Sequence, residues 1–200
     1  AHYHRGNAKF DLKDYEGAIF DFNKGIELNP QDETLYGSRG CAKVQIDDDE
    51  GAITDFTKTL EMSPQDEDAY RLRGCARGRL GRWLEAIDDF SKFIVLNPLD
   101  ANAYAYRGYA KSELNDFQGA ISDYTKAINI QTNLENISTV YFNLGYNKRE
   151  LGDIKGARAD WEKAAELGDE EFAEFLKEYC EKAAELGDEE LAELLKEYCE

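Results

Sequence analysis

The sequence contains little proline and no long apolar segment. Three prolines among 200 residues leave long stretches of the chain free to form helices. No run approaches the roughly 18 apolar residues that a membrane span requires, and the first ten residues lack the apolar core of a signal peptide. We therefore expect a helical chain that does not associate with membranes.

Basic residues are also scarce. The chain has 24 lysines and arginines against 42 aspartates and glutamates, which gives a net charge of −18. This charge opposes the binding of polyphosphates, so we expect no nucleic-acid partner. The acidic excess is largest at the C-terminal end, because residues 162–200 contain 15 acidic and 4 basic side chains.

Motifs that carry catalytic or metal chemistry are missing from the sequence. It contains no nucleophile elbow, P-loop, dinucleotide fingerprint or HExxH motif, so we expect no enzymatic activity, no cofactor and no metal site. The cysteines have no CxxC spacing, which favours reduced thiols and a cytoplasmic location. They are Cys41, Cys75, Cys180 and Cys199.

An acidic run from Asp47 to Glu50 superficially resembles a calcium-binding loop. Its glycine, Gly51, follows too early, and no glutamate closes a loop of twelve residues. We therefore interpret this run as an exposed turn followed by the acidic start of a helix.

A 34-residue repeat dominates the rest of the sequence. Glycines recur at intervals of 34 and finally 37 residues, and each is followed by an alanine 12 positions later and an aromatic residue 16 positions later. The glycines are Gly6, Gly40, Gly74, Gly108 and Gly145; the alanines are Ala18, Ala52, Ala86, Ala120 and Ala157; the aromatics are Phe22, Phe56, Phe90, Tyr124 and Trp161. Pro30, Pro64 and Pro98 close the first three units. Apolar residues at helical spacing, with small residues where two helices would cross, predict a helical hairpin in each unit.

This pattern resembles the tetratricopeptide repeat (TPR) family, with repeats of bacterial type. The resemblance covers residues 1–168 and implies an all-α fold, a right-handed α-solenoid of helical hairpins. The predicted units are 1–32, 33–66, 67–100, 101–137 and 138–168. The first unit begins inside its first helix, which we interpret as a trimmed start. Three extra residues in the fourth unit predict a longer loop at 131–136.

Arginine and aspartate recur in the same register. Arginines precede four of the glycines and aspartates precede all five aromatics, at Arg5, Arg39, Arg73 and Arg107 and at Asp21, Asp55, Asp89, Asp123 and Asp160. Binding residues should differ between repeats, so we predict a structural ladder of ion pairs, with ligand binding as the alternative. The fifth unit has Leu144 in place of the arginine, so we expect Asp160 to use Arg158 or water.

The family resemblance implies that the first helices of the hairpins line a concave groove. The corresponding residues vary between units, as expected of a recognition surface, and the peptide-binding candidates are Tyr3, Asn7, Gln45, Arg71, Arg79, Asn102, Tyr109, Phe142, Tyr146 and Arg149. The family's clamp for chaperone tails is not matched, because Tyr3, Ser38, Asp68 and Leu72 occupy four of its five positions. Arginines concentrated in the third unit leave an acidic peptide open, with Arg71 and Arg79 as preferred contacts. We thus predict a non-enzymatic scaffold for a protein or peptide partner; a groove without a ligand is the alternative.

The C-terminal segment contains a second, nearly exact duplication. Residues 162–180 and 181–199 differ at two of 19 positions, where Phe172 and Phe175 correspond to Leu191 and Leu194. Such similarity indicates a recent duplication or deliberate engineering, and the choice of exchanged residues favours a designed TPR protein. We predict two capping or assembly helices in 169–200. A homodimer would form through Leu191, Leu194, Leu195 and Tyr198, which makes a self-assembly module without a natural ligand the second functional hypothesis; folding back onto the chain is the structural alternative.

Overall fold

The structure, a computed structural model, describes residues 1–130 and 136–168, together with eight single positions between 172 and 187. The described residues form ten α-helices and no β-strand. The helices are α1 (His2–Asp11), α2 (Tyr15–Leu28), α3 (Glu33–Val44), α4 (Asp49–Met62), α5 (Glu67–Arg79), α6 (Trp83–Leu96), α7 (Ala101–Glu113), α8 (Phe117–Ile130), α9 (Ile137–Glu150) and α10 (Ile154–Leu167). Most of the predicted loop at 131–136 and of the predicted helices in 169–200 lies outside the described residues.

The chain divides into two compact units. Ala1–Leu99 contains α1 to α6, and Asp100–Glu200 contains α7 to α10. Within each unit, consecutive helices pair as hairpins through turns of three or four residues. The second helix of one hairpin contacts the first helix of the next, as α2 contacts α3, α4 contacts α5 and α8 contacts α9. This arrangement confirms the predicted all-α repeat of helical hairpins.

Small residues allow the two helices of each hairpin to approach closely. A Cβ atom on Gly40 of α3 would lie 2.8 Å from the Phe56 ring of α4, and Ala52, one turn earlier on α4, is fully buried. The same contact joins the glycine and the aromatic residue of every described hairpin. In the fifth hairpin the ring belongs to Trp161, whose indole N–H donates a 3.1 Å hydrogen bond to Phe142 O. Because the rings fill the space between the helices, their burial stabilises each hairpin.

The turn inside each hairpin also repeats. One residue adopts a left-handed backbone, with φ of 59° at Asp47 and 60° at Asn115, and glycines occupy this place in the third and fifth hairpins. The next residue begins the second helix as its N-cap, and the Asp48 carboxylate accepts a 3.0 Å hydrogen bond from Gly51 N. The structure thus confirms that the acidic run at 47–50 is a turn and a helix start.

Candidate functional site

Each of the first four hairpins contains the predicted ion pair between arginine and aspartate. Arg73 Nε donates to Asp89 Oδ2 at 3.0 Å and Arg73 Nη2 donates to Asp89 Oδ1 at 2.7 Å, while Asp89 is only 2% exposed. Such two-point contacts fix the orientation of both side chains. The equivalent pairs are Arg5–Asp21, Arg39–Asp55 and Arg107–Asp123. These contacts confirm the structural ladder.

Each aspartate site also contains a cation that the sequence-based predictions did not include. Lys43 Nζ lies 2.9 Å from Asp55 Oδ2 and donates to Gly51 O at 3.3 Å, so it also contacts the first turn of α4. The equivalent residues are Lys9, Arg77, Lys111 and Lys148. All five stand three positions after the motif glycine, so the repeat register contained the signal that identifies them.

The first hairpin shows the electrostatic effect of these cations. The hydrogen bond from Arg5, helped by those from Lys9 and His2, holds the pKa of Asp21 far below the usual value of a carboxyl group, although burial acts in the opposite direction. His2 Nδ1 lies 3.2 Å from Asp21 Oδ1. The Asp21 carboxylate is therefore charged throughout the neutral pH range.

The fifth hairpin departs from this arrangement. Leu144, at the arginine position, is 4% exposed and belongs to an apolar cluster with Val140 and Tyr124. Lys148 Nζ lies 2.6 Å from Asp160 Oδ2, a partner that the sequence-based prediction of Arg158 or water did not include. Burial raises the pKa of Asp160, although the hydrogen bond from Lys148 opposes this shift. The pKa values of Asp160 and Asp21 therefore shift in opposite directions.

Two ladder arginines also connect successive hairpins of the first unit. Arg39 Nη1 donates to Asn23 Oδ1 at 2.6 Å, and Arg73 Nη1 donates to Thr57 Oγ1 at 3.0 Å. Asn23 and Thr57 lie on the second helix of the preceding hairpin. The Arg39 guanidinium also lies 5.5 Å from the centre of the Tyr36 ring. These arginines are engaged by the scaffold, so they are not candidates for binding a ligand.

A cleft of about 400 Å³ opens among α3, α4 and α5 in the first unit. At this position of the repeat the neighbouring hairpins have Tyr3 and Arg71, whereas the second hairpin has Gly37. A Cβ atom on Gly37 would lie 3.6 Å from Thr59 Oγ1, which is an ordinary contact, so this glycine leaves open space and does not serve a close helix crossing. The walls include Thr34, Ser38, Cys41, Asp68, Arg71 and Leu72. We call this space the Gly37 cleft.

The other groove candidates of the first unit lie in different surroundings. Gln45 is exposed at the end of α3, and Asn7 is half-buried on α1. Tyr3 is half-buried and packs against Phe22, with ring centroids 6.4 Å apart. Tyr3 therefore contributes to the hairpin core as well as to the surface.

All five arginines of the third hairpin have carboxylate partners. An oxygen of Asp68 accepts a 2.8 Å hydrogen bond from Arg71 Nη2. Arg79 Nε donates to both carboxylate oxygens of Asp49 at 3.0 Å, and this hydrogen bonding raises the pKa of Arg79. The remaining pairs are Arg73–Asp89, Arg77–Asp89, Arg77–Glu85 and Arg82–Glu50. The positive charge that the sequence concentrates in this hairpin is thus neutralised locally.

The groove candidates of the second unit separate into accessible and buried residues. Those that are exposed or half-buried are Asn102, Tyr109, Tyr146 and Arg149. Phe142 is 3% exposed and packs edge-to-face against Phe172, with ring centroids 6.4 Å apart. Phe142 therefore belongs to the core of the fifth hairpin and, contrary to the sequence-based prediction, is not accessible to a ligand.

Two polar atoms of the second unit are buried with neither a hydrogen-bond partner nor an ion-pair contact among the described residues: Tyr124 Oη and Asn147 Oδ1. Tyr124 stands where the other hairpins have phenylalanine or tryptophan, and burial raises its pKa. Asn147, which is fully buried, stands where the other hairpins have alanine. Both residues thus place a polar group in a position that is apolar elsewhere in the repeat.

Cys41 and Cys75 are free thiols at equivalent positions of neighbouring first helices, and both are half-buried. Burial raises the pKa of each thiol, although the nearby positive charge of Arg71 opposes the shift. The thiol of Cys41 therefore contributes no charge to the Gly37 cleft at neutral pH. Cys180 and Cys199 lie outside the described residues.

The predicted assembly residues also lie outside the described residues: Leu191, Leu194, Leu195 and Tyr198. The corresponding residue of the first tail copy, Phe172, is described and is 7% exposed against Phe142. Phe172 therefore covers the fifth hairpin, as its place in the predicted apolar stripe suggested.

Across residues 1–130, 136–168 and the described tail positions, no helix combines the length and apolarity that a bilayer span needs. Over the same residues, histidine, cysteine, aspartate and glutamate side chains form no group of three that could hold a metal ion.

Sequence models of known families match most of the repeat region. Tetratricopeptide repeat models match residues 1–32, 71–133 and 138–167. The chain belongs to the tetratricopeptide-repeat family. No curated protein matches this TPR chain.

Solved structures of other TPR proteins share the fold. A crystal structure of MamA is 25% identical, with 80% of this chain and 92% of that chain covered and a TM-score of 0.76. MamA from Desulfovibrio magneticus RS-1 is 20% identical, with 83% and 92% covered and a TM-score of 0.78. YrrB, described as a TPR protein with an unusual peptide-binding site, is 18% identical, with 88% and 90% covered and a TM-score of 0.76.

Proposed function

We propose that this TPR chain is a non-enzymatic protein-interaction scaffold, and that its first unit binds an extended peptide segment at the Gly37 cleft. The observation that carries the proposal is the cleft itself. It opens where one variable residue of the repeat is glycine, while the surrounding ladder and core residues keep the repeat pattern. Variable residues on a constant scaffold are typical of a recognition surface.

The lining of the cleft suits a peptide side chain. Leu72 and Cys41 offer apolar surface, and the Thr34 and Ser38 hydroxyls offer polar contacts. Pockets of about 300 to 1,000 Å³ are typical for bound groups, so about 400 Å³ accommodates one or two side chains. The peptide-binding site named for YrrB, which shares the fold, supports a peptide as the class of ligand.

The rigidity of the first unit favours binding. Arg39 and Arg73 connect each of the second and third hairpins to the hairpin before it, so the helices around the cleft are held in place before a ligand arrives. A surface that is already ordered loses little conformational freedom on binding.

A cleft-filling variant tests the proposal. A display library of nonapeptides is selected against the full chain, and the selected peptides are then measured by fluorescence anisotropy against Gly37→Tyr. The added ring resembles Tyr3 at the equivalent position and has room at its Cβ, so we expect the variant to fold and to lose binding at least tenfold.

The matched control is Thr54→Phe, which places an aromatic residue on the exposed side of α4. Phe20, the equivalent residue in α2, is 56% exposed, so the fold tolerates this change. Thr54→Phe should bind the peptides as the wild type does. Selected peptides that bind Gly37→Tyr with unchanged affinity would refute the proposed site.

A further inference from the structure

We infer that the peptide side chain taken by the Gly37 cleft is cationic, so that the partner presents a lysine or arginine. This inference rests on the proposed peptide-binding function and adds the chemistry of the ligand. It differs from the acidic peptide that the arginines of the third unit suggest in the sequence.

The charged residues that line the cleft carry an excess of negative charge. They are Asp66, Asp68 and Arg71, with a net charge of −1. Asp66 lies at the N-cap of α5, where its carboxylate accepts a 2.9 Å hydrogen bond from Ala69 N. A bound ammonium or guanidinium group would balance these charges, whereas a bound carboxylate would increase the excess.

Asp68 can exchange its ion pair with Arg71 for one with a cation of the ligand. Its side chain is 71% exposed, and its bond to Arg71 joins two residues of one helix, three positions apart. Exposed ion pairs of this kind contribute little to stability, so a cation on the ligand can take the place of Arg71 at small cost.

Arg79, the other arginine preferred from sequence, cannot serve an acidic ligand in the same way. Its partner Asp49 is 7% exposed and lies on the preceding hairpin. Drawing Arg79 towards a ligand would leave the Asp49 carboxylate buried without its cation, which is strongly unfavourable. An acidic peptide that used Arg79 would therefore have to break a buried ion pair, whereas a cationic peptide that uses Asp68 breaks only an exposed one.

The net charge of the whole chain also favours a cationic ligand over an anionic one. A net charge of −18 attracts cationic segments and repels anionic ones before contact. Binding of a cationic peptide should therefore be fastest at low ionic strength and should weaken as salt is added.

Peptides from the display selection provide the probes. We expect them to be enriched in lysine and arginine over the starting library. The tightest binder is synthesised with a fluorescein label, together with forms in which its anchoring lysine or arginine is replaced by norleucine or by glutamate. Affinity should fall from the parent peptide to the norleucine form and again to the glutamate form. Raising the salt from roughly 50 to 500 mM should weaken the binding of the parent peptide most.

Three variants of the chain test which charged side chains of the cleft interact with the cationic peptide. Asp68→Asn should weaken binding of the parent peptide about fivefold, because an exposed charge pair is lost. Arg71→Gln should strengthen it, because a competing cation is removed. Asp88→Asn, which removes one carboxylate on α6 outside the cleft, should leave the affinity unchanged. Circular dichroism and urea unfolding check that all three fold.

Failure of this inference can be separated from failure of the proposed site. If Gly37→Tyr abolishes binding while Asp68→Asn has no effect, or Arg71→Gln weakens it, the site stands and the cationic ligand is wrong. If selection yields no binder, or only binders that Gly37→Tyr does not affect, both are wrong.

Discussion

At the scale of single residues, the scaffold is built around carboxylates that contact two cations. Asp123 shows the complete arrangement, with Arg107 Nη2 and Lys111 Nζ each 2.7 Å from one of its oxygens. In the fifth hairpin Leu144 replaces the arginine and Lys148 contacts Asp160. The chain therefore contains two versions of one site in the same unit, which allows a direct comparison.

Replacing each of these aspartates by asparagine should have different effects. Asp123→Asn should destabilise the chain by about 2 to 3 kcal/mol, because two cations then lose a buried partner. Asp160→Asn should cost no more than about 1 kcal/mol, because burial already disfavours its charge. Urea unfolding followed by circular dichroism measures both, and equal losses would contradict this account.

The stability cost of Asp21→Asn and that of Asp160→Asn should change with pH in opposite directions. Asp21 has a lowered pKa, so its contribution is present above the unfolded value of about 3.9 and declines as the pH falls below it. Asp160 has a raised pKa, so its contribution is greatest at acidic pH and is lost as the pH rises through its folded value. The cost of Asp21→Asn should therefore shrink on acidification, whereas that of Asp160→Asn should grow.

The Tyr124 hydroxyl, which has no hydrogen-bond partner in the described part of the chain, leads to a second prediction at this scale. Tyr124→Phe should leave stability unchanged or raise it by up to about 1 kcal/mol, because a buried polar group is removed. The matched change Phe56→Tyr buries a hydroxyl at the equivalent, fully buried position and should cost about 1 to 3 kcal/mol. Thermal unfolding tests the pair; a loss of stability in Tyr124→Phe would reveal a hydrogen bond in solution.

At the scale of helices, the start of the second helix is fixed by an aspartate in four of the five hairpins: Asp14, Asp48, Asp116 and Asp153. The third hairpin has Arg82, and among the described residues no side-chain hydrogen bond caps α6 there. The same position is therefore a cap in one hairpin and a surface residue in another.

Alanine substitutions should distinguish these roles. Asp48→Ala should destabilise the chain by about 1 kcal/mol, because Gly51 N loses its acceptor. Arg82→Ala should change stability by less than about 0.5 kcal/mol, because its contact with Glu50 is exposed. Both values come from thermal unfolding, and the argument fails if Arg82→Ala is the more damaging change.

The motif glycines differ in how tightly they are enclosed. A Cβ on Gly145 would lie 2.6 Å from Trp161 Nε1 and 2.9 Å from Ala157 O, whereas on Gly108 it would lie 3.2 Å from the Tyr124 ring. Backbone cannot move aside as a ring can, so Gly145→Ala should cost about 2 kcal/mol more than Gly108→Ala. Urea unfolding of both variants provides the comparison. A larger loss in Gly108→Ala would show that the Tyr124 ring is held more firmly than its contacts imply.

The hairpins and the ladder could be predicted from sequence because they depend on residues that recur in a fixed register. The cation three positions after the motif glycine is lysine in four hairpins, such as Lys43, and arginine in the third, Arg77, so a search for identical residues does not find it in every unit. Asp49 and Arg79 form a pair specific to two hairpins, so periodicity gives no sign of it. The Gly37 cleft forms where glycine provides no side chain, and its walls come from three helices. The sequence does not show how these helices pack, so the cleft could not be predicted from it.

At the scale of the whole molecule, the duplicated tail predicts self-association. Phe172 of the first copy is buried against Phe142, and the second copy repeats the same apolar stripe. Burial of Leu191, Leu194 and Leu195 would contribute on the order of 5 kcal/mol, which favours a dimer.

Light scattering at moderate salt tests this prediction on the full chain and on a chain lacking residues 187–200. The full chain should have the mass of a dimer and the shortened chain that of a monomer, because deletion removes the second apolar stripe. A monomeric mass for both across micromolar concentrations would exclude assembly through the tail and leave folding back as the explanation.

The aspartate clusters also determine where the remaining charge must lie. The first, second and fourth hold two cations and one carboxylate, a net charge of +1 each. The third is neutral because Arg77 also contacts Glu85, and Lys148 with Asp160 is neutral too. Three positive charges thus belong to these clusters. Because the net charge of the whole chain is −18, the rest of the chain carries −21. In solution the protein should behave as a strongly anionic colloid, whose molecules repel one another at low salt and approach only when counterions shorten the screening length.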